Sequence, residues 1–367
     1  MRCVGLICME DKGGMYHYFR KIADSLLGMN YQVHSVLLRT RGSKSDLPRH
    51  PNHIVHYVNT SLGFVDKVFP KRVDNAISDI ILQTSVNTWL ILWDSYFLVR
   101  VPRFGNLRFV YVVHDVFPHE AQGLKRIATT VLYRRSLKKR KSFAVIATNS
   151  IFQYKLLNEL LRDGKKVFYF PMPSSVTQEI ESGKKKVPEV ARLSDYFLFF
   201  GRIEPYKGVQ TLLRAFSYYR GSRELVIAGR GNLKMPPEVL RQNRIVLINR
   251  FIEDEEIRDL FEKACCVVFP YKTATQVGPI SIAYYFKKPV IISGIPPLLE
   301  KFNVAAPEGI VVSAGDVHAL AYALELMDQE DIRRLFEKNC ESAYLRYYNE
   351  TYLSQRLEEL LAEVMQS

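Results

Sequence analysis

Cysteine is scarce in this chain of 367 residues: Cys3, Cys8, Cys265, Cys266 and Cys340 make neither a C-x-x-C pair nor a metal-ligand spacing. That excludes a disulfide scaffold, and an odd number of thiols among apolar neighbours is expected to be reduced and packed inside. No two aspartates stand two positions apart, so a D-x-D clamp for a divalent cation is missing and no metal or cofactor is expected. No G-x-G-x-x-G opens the first helix and the second strand carries no acidic residue, which argues against a nicotinamide cofactor. Uncharged apolar runs stay well short of the ~18 residues a membrane span needs. The nearest candidate, from Trp89 to Val101, is cut by Asp94 and Arg100. The opening Met1-Arg-Cys-Val-Gly-Leu-Ile reads as a first strand and is too short for a signal peptide, so a cytoplasmic chain is expected.

What is present is an ordinary globular composition, 47% hydrophobic and 24% charged, over a length that suits two domains. Its charge is uneven. Of the net +13, almost all lies before residue 184, where 26 Lys and Arg face 14 Asp and Glu; the remainder is nearly balanced at 25 against 24. The first half therefore faces something anionic. Its densest stretch is Lys125, Arg126, Arg134, Arg135, Lys138, Lys139, Arg140 and Lys141, with no acid among them. Leu124, Ile127, Ala128 and Val131 share one helical face there, which reads as a basic amphipathic helix on the inner face of a membrane. No nucleic-acid module accompanies it.

Strand and helix patterns alternate along both halves. Cys3–Met9, Val33–Leu38, His53–Val58, Trp89–Trp93, Phe109–Val113, Phe143–Ala147 and Lys166–Phe170 read as strands, with helices at Tyr16–Leu27 and Ser150–Leu161. The second half repeats the theme through the strands around Leu225, Ile245, Cys265, Val290 and Ile310. Such alternation predicts an α/β protein of two Rossmann-like, doubly wound domains facing a cleft. The expected division is 1–172 and 191–347, a Pro-, Ser- and Lys-rich linker at 173–190, and an amphipathic helix at 348–367.

Residues 196–216 carry the most informative chemistry. The apolar run Tyr196-Phe-Leu-Phe-Phe breaks at Gly201, Arg202 and Lys207 follow, and helical spacing resumes at Val209, Leu212, Leu213 and Phe216. In a parallel sheet ligands collect at the carboxyl ends of strands. An Arg that forks two oxygens and a Lys that supplies a point charge suit a diphosphate there, although a solvated turn would give the same local pattern. Gly201-Arg202 with Lys207-Gly208 resembles the donor-diphosphate loop of GT-B glycosyltransferases of the retaining family-4 type. The resemblance implies an enzyme that moves a hexose-type sugar from a nucleoside-diphosphate sugar to a carbohydrate or lipid-linked acceptor, in polysaccharide or glycoconjugate assembly and without a metal.

Other segments fall in with that resemblance. Gly13-Gly14, after the first strand, resembles the amino-terminal glycine loop that faces the donor. His114-Asp115-Val-Phe-Pro-His119 follows a strand end; by resemblance His114 meets the transferred sugar, and Asp115 or His119 helps to place the acceptor. Gly229 stands in a strand end like the family's I-A-G-x-G, and Asn249-Arg250-Phe251-Ile252 resembles the short segment that packs under the base through backbone groups. The departure lies in Thr275-Gln276-Val277-Gly278-Pro279. Aligned on Pro279, Ala283 and Pro289-Val290, the family's two glutamates fall at Ala274 and Ile282, so both carboxylates are missing. What remains resembles a T-Q-S-G variant of some bacterial transferases. Two other readings stay open: an inverting enzyme with His114 or Asp115 as base, and a non-catalytic sugar-nucleotide-binding or scaffold protein.

Overall fold

The computed structural model describes residues 2–11, 13–40, 47, 49–60, 71–93, 107–114, 143–161, 166–234 and 244–366. The chain forms two units, Met1–Pro173 with Glu350–Ser367, and Ser174–Asn349.

The first unit is built on a parallel sheet of β1 (Cys3–Cys8), β2 (Gln32–Thr40), β3 (His53–Thr60), β4 (Thr88–Trp93), β5 (Arg108–Val113), β6 (Val145–Thr148) and β7 (Val167–Tyr169), in the order β3-β2-β1-β4-β5-β6-β7. Its inner strands are nearly continuous apolar runs because helices cover both faces. One face packs Phe19, Ile22 and Leu26 of the helix Gly14–Gly28 with Leu353, Leu357, Leu360, Leu361 and Val364 of the helix Glu350–Gln366. The other face packs Val73, Ile77 and Ile81 of the helix Lys71–Gln83 against Trp89, Tyr111 and Phe143. That second helix escaped the sequence reading, since Asp74, Asn75, Ser78 and Asp79 dilute its apolar stripe. The strand order reverses between β1 and β4, which makes their carboxyl ends the switch point of this sheet.

The second unit repeats the plan with β8 (Tyr196–Phe200), β9 (Leu225–Ala228), β10 (Ile245–Ile248), β11 (Ala264–Phe269), β12 (Val290–Ser293) and β13 (Gly309–Val312), ordered β10-β9-β8-β11-β12-β13. All its pairings are parallel. The switch point falls between β8 and β11. The helix Val209–Tyr218 returns after β8 with Val209, Leu212, Leu213 and Phe216 buried, as their spacing requires. The helix Asp254–Lys263 opens on a capping box between Glu253 and Glu256, with three acids in its first turn against the positive helix end. Residues 174–190, linker-like in composition, hold the helix Gln178–Ser182 and bury Val176, Ile180, Val187 and Val190 in this unit's core.

Candidate functional site

At the carboxyl ends of β8, β9 and β11 three loops lock together through their backbones. Gly201 N–H donates to Ala228 O at 2.9 Å, and Gly229 N–H to Ile248 O at 3.0 Å. Gly229 has φ 147°, and a Cβ there would stand 2.0 Å from Gly201 O, so only glycine lets the β8 and β9 loops touch. Farther along, Ile203 N–H donates to Arg230 O at 2.9 Å, and Lys272 N–H to Tyr206 O at 2.7 Å. Gly208 turns left-handed at φ 70° with its α-carbon against Pro270 O, where a side chain would collide at 1.8 Å. The segment 201–208 is thereby clamped by the β9 loop on one side and the β11 loop on the other.

The clamp fixes where Lys207 can reach. Its Nζ lies 5.4 Å from the centroid of the Tyr271 ring, just past β11, and against the open face of Gly201, just past β8. The ammonium therefore occupies the switch point of this sheet. Burial first, and the neighbouring Arg202 second, lower the Lys207 amine from 10.5 to about 8, with Glu204 opposing. Arg202 is exposed and stands 3.8 Å from Glu204. A lysine held partly buried beside an arginine, with one loosely placed carboxylate, is a site of excess positive charge. An anion entering there would relieve the repulsion that lowers Lys207.

Tyr271 is the residue that sequence reasoning missed. It is buried beneath Lys207, stacked edge-on against Tyr206 and Phe269, and its hydroxyl has no hydrogen-bond partner. The available signal was an aromatic residue directly after Phe269-Pro270 at a strand end. Gln276 Nε2 in the same loop is also buried without a partner. Beyond it, Val277 is buried, and Gly278 precedes the helix Pro279–Tyr285. Ser281 donates to Gly278 O at 2.7 Å and accepts from Ser175 N–H at 2.9 Å, which ties the loop to residue 175. Ile282 is a core residue and Ala274 packs against the core, so the positions of the family's two glutamates serve packing in this chain.

In the segment expected under the base, the Arg250 guanidinium forks both Glu256 oxygens at 2.7 Å and reaches Glu189 at 3.3 Å. These hydrogen bonds from Arg250 hold the Glu256 carboxyl below its ordinary range. Phe251 is exposed and Ile252 buried. Asn249, beside them, accepts from Gly231 N–H at 3.0 Å and so orders the β9 loop.

In the first unit, Gly13 lies at φ 81° directly before the helix Gly14–Gly28, and an added Cβ on Gly13 or Gly14 would meet nothing within 4 Å. His114 follows β5, is buried, and its Nε2 lies 2.6 Å from Leu92 O, which makes that nitrogen the protonated one. Its ring stands edge-on to Tyr18 at 5.2 Å, and Tyr18 accepts from Asn149 Nδ2 at 3.1 Å. Asp115, His119 and the basic run Lys125, Arg126, Arg134, Arg135, Lys138, Lys139, Arg140 and Lys141 lie outside the described residues. Among the described residues no helix is long and apolar enough to cross a membrane, and no group of three or more His, Cys, Asp or Glu could hold a metal ion.

Two parallel α/β sheets, each with a switch point, define a protein of the GT-B class. Solved structures share this fold over essentially the whole chain. Sucrose-phosphate synthase from Thermosynechococcus elongatus matches at TM-score 0.80 and 15% identity, covering 100% of both chains. Anabaena HepE, solved with UDP and glucose, matches at TM-score 0.74 and 14% identity over 99% of this chain and 100% of that one. The E. coli trehalose-6-phosphate structure bound with UDP-2-fluoro glucose matches at TM-score 0.75 and 10% identity, over 100% of this chain and 99% of that one. No curated protein matches the chain in sequence. Residues 194–328 match the model of the family Glycosyl transferases group 1. The match lies wholly within the second unit, which thus carries a domain similar to group 1 glycosyl transferases.

Proposed function

We propose that the protein transfers a hexose-type sugar from a nucleoside-diphosphate sugar to a carbohydrate or lipid-linked acceptor, with retention of configuration and without a metal ion. The observation that carries this reading is the Lys207 ammonium held over Tyr271 beside Arg202, at the carboxyl ends of β8 and β11. Anabaena HepE with UDP-glucose and the E. coli structure with UDP-2-fluoro glucose, both of the same fold, support a UDP-sugar as the donor. In this reading Arg202 and Lys207 neutralise the pyrophosphate, and Lys207 meets the oxygen on which charge grows as the sugar–phosphate bond breaks. Interactions that strengthen with that charge lower the barrier rather than merely binding substrate. The departing phosphate oxygen takes the proton of the acceptor hydroxyl as the new glycosidic bond forms, so no carboxylate base is needed.

With hydrophobic residues at 274 and 282, contacts to sugar and phosphate fall in this reading to Thr275, Gln276, Val277 and Gly278. The deciding experiment incubates the protein with a panel of UDP- and other nucleotide-sugars and follows release of nucleoside diphosphate and the anomer of the product. An inverted product would assign the chemistry to His114 or Asp115 instead. Absence of any turnover, including slow donor hydrolysis, would leave a binding or scaffold protein. For the basic run at 125–141 the proposal is attachment to anionic lipid, each cation near the surface adding about 1 kcal/mol. Co-flotation with phosphatidylserine vesicles that vanishes at high salt is the expected result, and equal flotation with neutral vesicles would contradict it.

A further inference from the structure

Lys207 is held without a polar partner. Among the described residues its ammonium makes no hydrogen bond and no ion pair, and Glu204, the one acid of segment 201–208, stands 3.8 Å from Arg202. What the ammonium has is the ring of Tyr271, with 5.4 Å from Nζ to the centroid, and the open face of Gly201, where a Cβ would lie 2.9 Å from Nζ. A buried charge is ordinarily paired with an opposite one. An aromatic face holds a cation through its quadrupole instead, and takes up none of its N–H donors. A carboxylate in the same place would occupy those donors and cancel the charge before an anion arrived.

The place of the Tyr271 ring is itself fixed through the backbone. Both chain neighbours of Tyr271 are locked to the loop that carries the lysine: Pro270 O lies against the α-carbon of Gly208, and Lys272 N–H donates to Tyr206 O at 2.7 Å. The ring packs edge-on against Tyr206 at 6.4 Å and Phe269 at 5.9 Å. Its hydroxyl, buried without a partner, adds nothing to that hold and costs desolvation, so the ring is the part that the lysine uses. Of the groups facing the amine, burial first and Arg202 second lower it to about 8 and Glu204 opposes them; burial keeps the Tyr271 hydroxyl protonated, so the group facing it from the end of β11 carries no charge.

We propose that Tyr271 is a positioning residue for sugar transfer: its ring face holds the Lys207 ammonium at the carboxyl ends of β8 and β11 and leaves the hydrogen-bond donors of that ammonium for the departing diphosphate. This assignment rests on the reading of Arg202 and Lys207 as the diphosphate site, and adds the group that makes the lysine effective there. Tyr271 acts through Lys207, while Arg202 shares the binding of the ground state. Loss of the ring is therefore felt in kcat more than in KM, because the charge that Lys207 meets grows only as the sugar–phosphate bond breaks.

The test compares Tyr271→Phe, Tyr271→Leu and replacement of Tyr271 by mono-, di- and trifluorinated phenylalanines, which keep the shape of the ring while its face holds a cation progressively less well. Two readouts are taken on the full chain: kcat and KM for release of nucleoside diphosphate from neutral to alkaline pH, and the titration of the Lys207 amine in the ligand-free protein by NMR of labelled lysine, assigned with Lys207→Met. Tyr271→Phe is expected to keep turnover within about twofold, and Tyr271→Leu to lose about tenfold in kcat with a smaller change in KM. Along the fluorinated series kcat is expected to fall steadily, by at least about threefold at the trifluorinated ring, and the Lys207 titration to move down by about half a pH unit, since a weaker face favours the charged amine less. A side chain that merely filled space would move neither quantity along that series. A flat series in both readouts, or full turnover in a folded Tyr271→Leu, would overturn the proposal. A titration that follows the series while Lys207→Met keeps full turnover would instead overturn the diphosphate-site reading on which it rests.

Discussion

Replacing Lys207 by methionine separates the two things this residue does. The lysine is charged in both folded and unfolded chains at pH 7, yet the folded state lowers its amine from 10.5 to about 8. At 1.36 kcal/mol per pH unit that displacement corresponds to about 3 kcal/mol against the charged form, and discounting for its partial exposure leaves roughly 1–3 kcal/mol. Methionine keeps the stem over Gly201 and Tyr271 and removes the charge, so Lys207→Met is expected to stabilise the protein by about 2 kcal/mol. For a unit of this size that raises its Tm by roughly 4–8 °C. The same variant should lose nucleotide-sugar turnover by a factor on the order of 100 or more, as expected for removing a preorganised donor to a leaving group. The sign with pH is fixed as well. The penalty is fully present below about 8, where both states are protonated, and fades as pH rises from there toward 10.5, so the wild type should gain on the variant through that window. Scanning calorimetry at pH 7 and pH 10 with a nucleoside-diphosphate release assay reads both effects. A variant that is less stable than wild type at pH 7, or that keeps its turnover, would refute the reasoning.

Three further outcomes follow from the same contacts. The pH profile of kcat/KM should fall on the alkaline side with an apparent value near 8, because deprotonation of Lys207 removes the charge in the free enzyme; a flat profile to pH 9.5 would contradict it. Gly229→Ala forces a Cβ to 2.0 Å from Gly201 O at positive φ, so it should cost on the order of 2–3 kcal/mol and displace the donor loop, read as lower Tm together with weakened UDP binding. Arg250→Ala should behave differently, losing about 1–2 kcal/mol of stability through the Glu256 fork with UDP affinity unchanged within about twofold. Glu256 is depressed by Arg250, so that difference should be present above the usual carboxylate range and disappear as acid protonates Glu256 below pH ~4.

Much of this architecture was legible because buried parallel strands leave a plain mark. Runs such as Tyr196–Phe200 and Ala264–Phe269 are apolar without alternation, and each ends at a glycine or proline. Helices with mixed faces were harder: Lys71–Gln83 buries Val73, Ile77 and Ile81 but interleaves them with polar residues. At the candidate site the cations at 202 and 207 could be picked out because charges at a strand end are conspicuous. Tyr271 could not, since what matters is its place under Lys207, and that depends on β11 lying next to β8, a pairing between segments far apart in sequence. The ion pairs of Arg250 with Glu256 and Glu189, partners six and sixty-one positions away, were likewise not legible, because they too depend on how distant segments pack.

The most direct test of the central claim is isothermal titration of UDP into the wild type and into Arg202→Ala/Lys207→Ala. Two charge-assisted contacts to a diphosphate, each worth about 1.5–3 kcal/mol, predict at least about a hundredfold loss of affinity in the double variant. Equal affinity in the two proteins would mean that the diphosphate does not rest at the ends of β8 and β11.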